Sequence, residues 1–191
     1  MEVNMRKKKK TLTLYNAFFP PIWLLWILLP PAWVIVLPAN YILDVLVLAL
    51  GMKICHVEEI GQQLKKTMVK TWLLGFAADF LGSIPLLVVG WRYLWPWDVS
   101  EAGELEEKLY EAVWYQPFES VWSFLIVTLG FLIAIVCIFA FNYFIAFKKT
   151  ELTQGQKKKT ALILAVVTAP WTFYFPIELY YIIDRILCLF P

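Results

Sequence analysis

Five apolar stretches alternate with polar ones along the chain. They cover about 18–37, 39–52, 71–91, 121–147 and 160–183. A helix crosses a hydrocarbon core in about 20 residues. The alternation therefore predicts an all-α protein: a polytopic transmembrane helical bundle of about five spans. The first two stretches form a single run. Ala17 to Met52, 36 residues, holds no Lys, Arg, Glu or His, and its one ionisable acid is Asp44. Pro38 lacks an N–H and clashes with the preceding turn, which argues against one continuous helix. The expectation is a Pro-bent hairpin turning near Leu37–Asn40, as two spans or as a re-entrant loop. Pro30-Pro31 is expected to kink its first arm.

Charge adds sidedness. Arg6 and Lys7–Lys10 precede the first span, four Lys lie in 53–70, and five lie in 148–159, so these places hold fourteen of the 17 basic residues. Between Arg92 and Glu119 there are seven acids against Arg92 and Lys108. Loops retained in the cytoplasm keep Lys and Arg. The N-terminus, 53–70 and 148–159 are thus expected in the cytoplasm and 92–119 outside, in a multi-pass protein of the cell membrane. Both ends of 17–52 lying inside requires two crossings or none. The N-terminus itself reads as an uncleaved signal-anchor, because Pro20-Pro21 interrupt the apolar region and no small-residue cleavage site follows.

Composition agrees with a membrane assignment. Hydrophobic residues make up 61% and charged ones 17%, against about 45–50% and about 25% in soluble domains. Trp91, Tyr93, Trp95 and Trp97 cluster where the 71–91 span should emerge, and Trp72 adjoins Lys70 at its other edge. Such rings favour the lipid–water boundary.

Two polar stretches show helical spacing. Ala102, Leu105, Leu109, Ala112 and Val113 predict an outer amphipathic helix over about 100–114, capped by Ser100 and packed on the bundle or on a partner. Ile54, Val57, Ile60, Leu64 and Met68 suggest a polar-side extension of the second helix.

The candidate chemistry is polar groups in apolar surroundings. These are Asp44, Asp79 and Glu178, with Asn40 on the Asp44 face and Asn142 in the fourth span. An ionised side chain near mid-bilayer costs about 2.5–3.5 kcal/mol on insertion scales, and no basic residue lies within these spans. Each acid should be protonated, hydrogen-bonded across helices, hydrated, or bound to a cation. Gly75, Ala78, Asp79 and Gly82 share one narrow face, and Gly130 and Ala134 give the fourth span a similar stripe. Small faces let helices approach closely.

Enzyme chemistry is not expected. His56 is the only histidine, which excludes multi-His metal centres and Ser-His dyads. Glu58-Glu59 resembles the paired glutamates of CAAX-type intramembrane proteases, but Gln62 and Gln63 stand where an Arg is required. Cys55, Cys137 and Cys188 form no paired motif. No phosphate-binding loop, metal site or cofactor signature occurs, and the Lys runs suit anionic lipid headgroups, not nucleic acid. Expected partners are the lipid bilayer and, through helix contacts, a second copy or another membrane protein. The expected role is a non-enzymatic subunit or accessory protein. The alternative is a small transporter or channel for protons or cations using the intramembrane carboxylates.

Overall fold

A computed structural model describes residues 30–91 and 103–176. These residues form five α-helices: α1 Pro30–Ile54, α2 Ile60–Gly90, α3 Glu104–Tyr115, α4 Val121–Phe144 and α5 Gln154–Val167. Single 3₁₀ turns follow α4 at Ala146–Lys149 and α5 at Trp171–Tyr174. No strand occurs among the described residues. Three stretches are long and apolar enough to cross a membrane: Leu37–Ile54, Ile60–Gly90 and Val121–Lys149.

The predicted hairpin at Leu37–Asn40 is not there. α1 runs through Pro38 without a break and counts as one candidate span. A turn here would create two helix ends, each with up to four unbonded backbone groups, within a stretch whose apolar side chains offer them no partner. Keeping Pro38 within the helix forgoes one hydrogen bond. Pro30 and Pro31 lie in the first turn of α1, where a missing N–H costs least. The proposed arm 18–29 and the Lys-rich N-terminus lie outside the described residues.

The polar-side extension also belongs elsewhere. Ile54 closes α1, and the turn Cys55–Glu59 follows. Ile60, Leu64 and Met68 are the first turns of α2. That turn is tight: His56 and Glu59 both adopt left-handed backbone, at φ 51° and 49°. α2 has 31 residues, about 46 Å at 1.5 Å per residue, so its polar start projects beyond a core about 30 Å thick. Like α1 it continues through an internal proline, Pro85.

The expected span at 160–183 is interrupted. α5 begins earlier, at Gln154, where Thr153 and Gln156 form a reciprocal capping box. It ends at Val167 after 14 residues, about 21 Å. Thr168 Oγ1 turns back to donate to the Leu164 carbonyl at 2.9 Å. Pro170 then disfavours helix at Ala169 and has no N–H of its own. The chain goes on through Trp171–Tyr174, where Tyr174 donates to Thr128 Oγ1 at 2.9 Å and stacks on Phe118. Residues 177–183 lie outside the described ones.

α1, α2, α4 and α5 form an antiparallel ring: α1 packs on α2 and α5, and α4 packs on the same two. The sequence Ser120-Val-Trp-Ser123 starts α4 with a capping box. One core, including Leu48, Met52, Ala78, Ile138, Phe147 and Leu164, fills the ring near the Cys55–Glu59 turn. A second core at the opposite end gathers Leu86, Trp114, Val127, Phe131 and Phe173.

The outer amphipathic helix forms as Glu104–Tyr115, with Gly103 at its start; Ser100 lies outside the described residues. Its C-terminal half docks on the bundle: Ala112–Tyr115 are buried, and Trp114 Nε1 donates to the Leu86 carbonyl at 2.9 Å. Leu105, expected on the packed face, is 83% exposed. Trp72, next to Lys70, meets the rings of Tyr41 and Phe76 edge-on, at 5.6 and 5.5 Å.

The polar stretches 53–70 and 148–159 lie at one end of the ring. Lys66 pairs with Glu151 at 2.8 Å. Gln156 Nε2 donates to the carbonyls of Cys55 and His56, both at 3.2 Å. We call this the Lys end and the opposite, α3 side the acidic end.

Candidate functional site: a carboxyl pair between α1 and α2

α1 and α2 lie antiparallel, which sets Asp44 against Gly75. Asp44 is buried, at 5% exposure. A Cβ on Gly75 would stand 3.5 Å from its Oδ2, so the Asp44 carboxyl occupies the place that a side chain at 75 would take. Asp79 follows Gly75 by one helical turn, on the same face. Asp44, set against Gly75, and Asp79, one turn on, thus lie at neighbouring levels of the α1–α2 seam. Asp79 Oδ1 is buried and has no hydrogen-bond partner among the described residues.

No cation neutralises the pair there. α2 has no basic residue after Lys70, α4 has none, and α1 has only Lys53 at its last turn. Along α2 the distance from Lys70 to Asp79 is nine residues, about 13 Å, which places Asp79 near the middle of the apolar stretch. Two carboxyls so placed cannot both be charged without a counter-ion. Acids in such surroundings stay protonated or take up a counter-ion.

The other sequence candidates fall into different roles. Asn40 is half-buried one turn from Asp44 on α1. Gly82, Gly130 and Ala134 bring α2 and α4 close together: a Cβ on Gly82 would come within 2.7 Å of both Ala134 Cβ and the Gly130 carbonyl. Ala78 is fully buried in the core beside them. Asn142 is fully buried and donates from Nδ2 to the Ile138 carbonyl of its own helix at 2.9 Å, while its Oδ1 has no partner among the described residues. Glu178 lies outside the described residues.

Sequence reasoning missed the cleft at the Lys end. His56, Glu58, Glu59, Gln63, Glu151, Thr153 and Gln156 line a polar cleft of about 480 Å³. Gln63 Oε1 closes its floor by accepting from the Glu151 N–H at 3.3 Å. The Lys66 ammonium holds the Glu151 carboxyl below the usual glutamate range by hydrogen bond and charge. The Thr153-x-x-Gln156 spacing was the available signal. Also missed was a row on α2 at strict four-residue spacing: Gln63, Thr67, Thr71, Gly75, Asp79 and Ser83. No group of three metal-ligating side chains occurs among the described residues.

Comparison with family models, curated proteins and solved structures finds no match for this chain.

Proposed function

We propose that this chain is a multi-spanning protein of the cell membrane that binds and releases a proton or small cation at Asp44 and Asp79, as a small transporter or channel does. The observation that carries the reading is Asp79 Oδ1, buried beside a second carboxyl and without a partner. An acid kept only to clasp two helices would have its hydrogen bonds made, since an unmade one costs about 1–3 kcal/mol in a buried site. An acid that takes up an exchangeable ligand keeps an oxygen free for it. Intramembrane carboxylates most often mark ion or proton pathways. The Lys end faces the cytoplasm on this reading, because nine Lys of the described residues lie there against Lys108 at the other end.

The competing role, a subunit or accessory protein acting by helix contact, draws support from exposed apolar residues at the acidic end, Leu105, Phe118 and Trp122. It draws none from the small-residue faces, because Gly82, Gly130 and Ala134 are used within the chain.

The test is flux in liposomes containing the purified protein. Proton or alkali-cation flux that disappears with Asp79→Asn and with Asp44→Asn supports the proposal. Flux equal to that of empty liposomes, with those variants impaired only in folding or association, sinks it in favour of the contact role.

A further inference from the structure

Given that the carboxyl pair binds a proton, we infer that in the conformation described it exchanges this proton with the Lys end, along the α2 row Gln63–Thr67–Thr71. The inference rests on the carboxyl-pair reading above and adds its ligand, the route and the side.

The row begins at the cleft. Gln63, itself buried, is the α2 residue that lines the cleft at the Lys end. Thr67, one turn on, is fully buried and donates from Oγ1 to the Gln63 carbonyl at 2.8 Å. Thr71 is the next, also buried. Unlike Thr67 it makes no bond back to its helix, and its Oγ1 has no partner among the described residues. The next place in the row is Gly75, which has no side chain, and there the Asp44 carboxyl from α1 fills the slot. Asp79 completes the series. The order is amide, hydroxyl, hydroxyl, carboxyl, carboxyl, with successive Cβ positions about 5–6 Å apart. Hydroxyl and carboxylic acid groups both donate and accept, which is what proton relay requires.

The other side is closed. Directly beyond Asp79, Gly82 is pressed on Gly130 and Ala134. Leu86, Val127, Phe131 and Phe173 then fill the space, and Trp114 lies across Gly90 with its N–H on the Leu86 carbonyl. Ser83, the next polar residue in the row, has its hydroxyl tied to the Phe80 carbonyl at 2.8 Å. The packing favours a proton over a metal cation. Thr67 and Thr71 are at most 3% exposed, and a cation with part of its hydration shell would have to separate α2 from its neighbours.

Few charges compete at the pair. α1 presents Asp44, with Tyr41 one turn away. α4 contributes Cys137 and Tyr143 as its titratable groups, and α5 has no ionisable residue from Thr160 to Val167. In this conformation a proton from the cleft reaches the pair by rotation of the Thr71 hydroxyl, which no hydrogen bond holds among the described residues, and rests on one carboxyl; passage to the acidic end requires the closed side to open.

The experiment uses the full chain in lipid vesicles. The carboxylic acid C=O infrared band is followed, together with its shift when D₂O is added. The carboxyl-pair reading requires a band that Asp79→Asn or Asp44→Asn removes. The inference requires that Thr71→Val slow the deuterium shift by about tenfold, the kinetic equivalent of one lost hydrogen bond, and that Thr71→Ser preserve the rate. It also requires that Ser83→Ala, on the acidic side of the pair, leave the rate unchanged. No band at all defeats the carboxyl-pair reading. A band with an unchanged Thr71→Val rate, or one whose shift is slowed as much by Ser83→Ala, overturns the route and leaves the pair standing.

Discussion

Gly82 and Gly130 meet backbone to backbone: a Cβ on Gly130 would strike the Gly82 carbonyl, and one on Gly82 would lie 2.7 Å from the Gly130 carbonyl. Any side chain at either place must push α2 and α4 apart. Gly82→Val is expected to destabilise the bundle by about 1–3 kcal/mol, the usual range for overpacking. Unfolding in mixed detergent micelles measures it. A Gly82→Val protein as stable as the parent would mean that this contact does not hold the two helices.

Gly75 behaves differently, because a Cβ there is at ordinary contact distance from Asp44 Oδ2, 3.5 Å. Gly75→Ala is expected to be tolerated in both stability and flux. Gly75→Leu displaces the Asp44 carboxyl from its slot, and flux should fall by about tenfold or more while the helices still form, since mispositioning by about 1 Å costs a functional site dearly. Circular dichroism and liposome flux, read together, separate the two effects.

Trp114 holds α3 to the bundle through one buried hydrogen bond and a large apolar contact. Trp114→Phe removes this hydrogen bond, at a cost of about 0.5–1.5 kcal/mol. Trp114→Ala removes the packing as well and should cost about 3–5 kcal/mol. Limited proteolysis between α3 and α4 should speed up in that order.

Glu59 starts α2 in left-handed backbone with no side-chain cap bond. That conformation is costly for a residue with a Cβ and free for glycine. Glu59→Gly is expected to stabilise the protein by about 0.5–1 kcal/mol, seen as a higher melting temperature. A drop would show that the Glu59 side chain does more than line the cleft.

The Lys66–Glu151 pair supplies a pH dependence. The Glu151 carboxyl is held below its ordinary value by Lys66. A depressed acid stabilises the fold above the ordinary glutamate range and loses that contribution as pH falls through its own lowered value. Both side chains are exposed, so the effect is small and weakened by salt. Acidification should loosen the cleft, seen as faster thiol labelling of Cys55. Glu151→Gln should remove the pH dependence of that labelling.

Much of the architecture is written locally. Three apolar stretches of sufficient length, a helical repeat in 104–115 and the capping residues Ser120 and Thr153 each depend on neighbours within a few positions. The two acids stand out in the sequence because every residue around them is apolar. Their meeting does not. Asp44 reaches Gly75 across 31 positions, and whether it does depends on how α1 leans on α2. The row through Gln63, Thr67 and Thr71 could have been read by its four-residue spacing, but its opening into a cleft depends on Glu151 and Gln156 from the far part of the chain.

Proline marks the division most clearly. By itself the sequence determined a helical chain with apolar stretches long enough to cross a membrane and two acids in apolar surroundings, because the hydrophobic effect and the length of a span act on composition and run length. It could not decide what Pro38 and Pro170 do. Pro38 stays inside α1, since a turn would leave more backbone groups unbonded than the one bond that proline removes. The helix ends before Pro170, where Thr168 rebinds its own helix and Phe131 and Thr128 of α4 receive Trp171 and Tyr174. Tertiary contacts made that choice, because only neighbouring helices can supply or withhold partners for a freed backbone group.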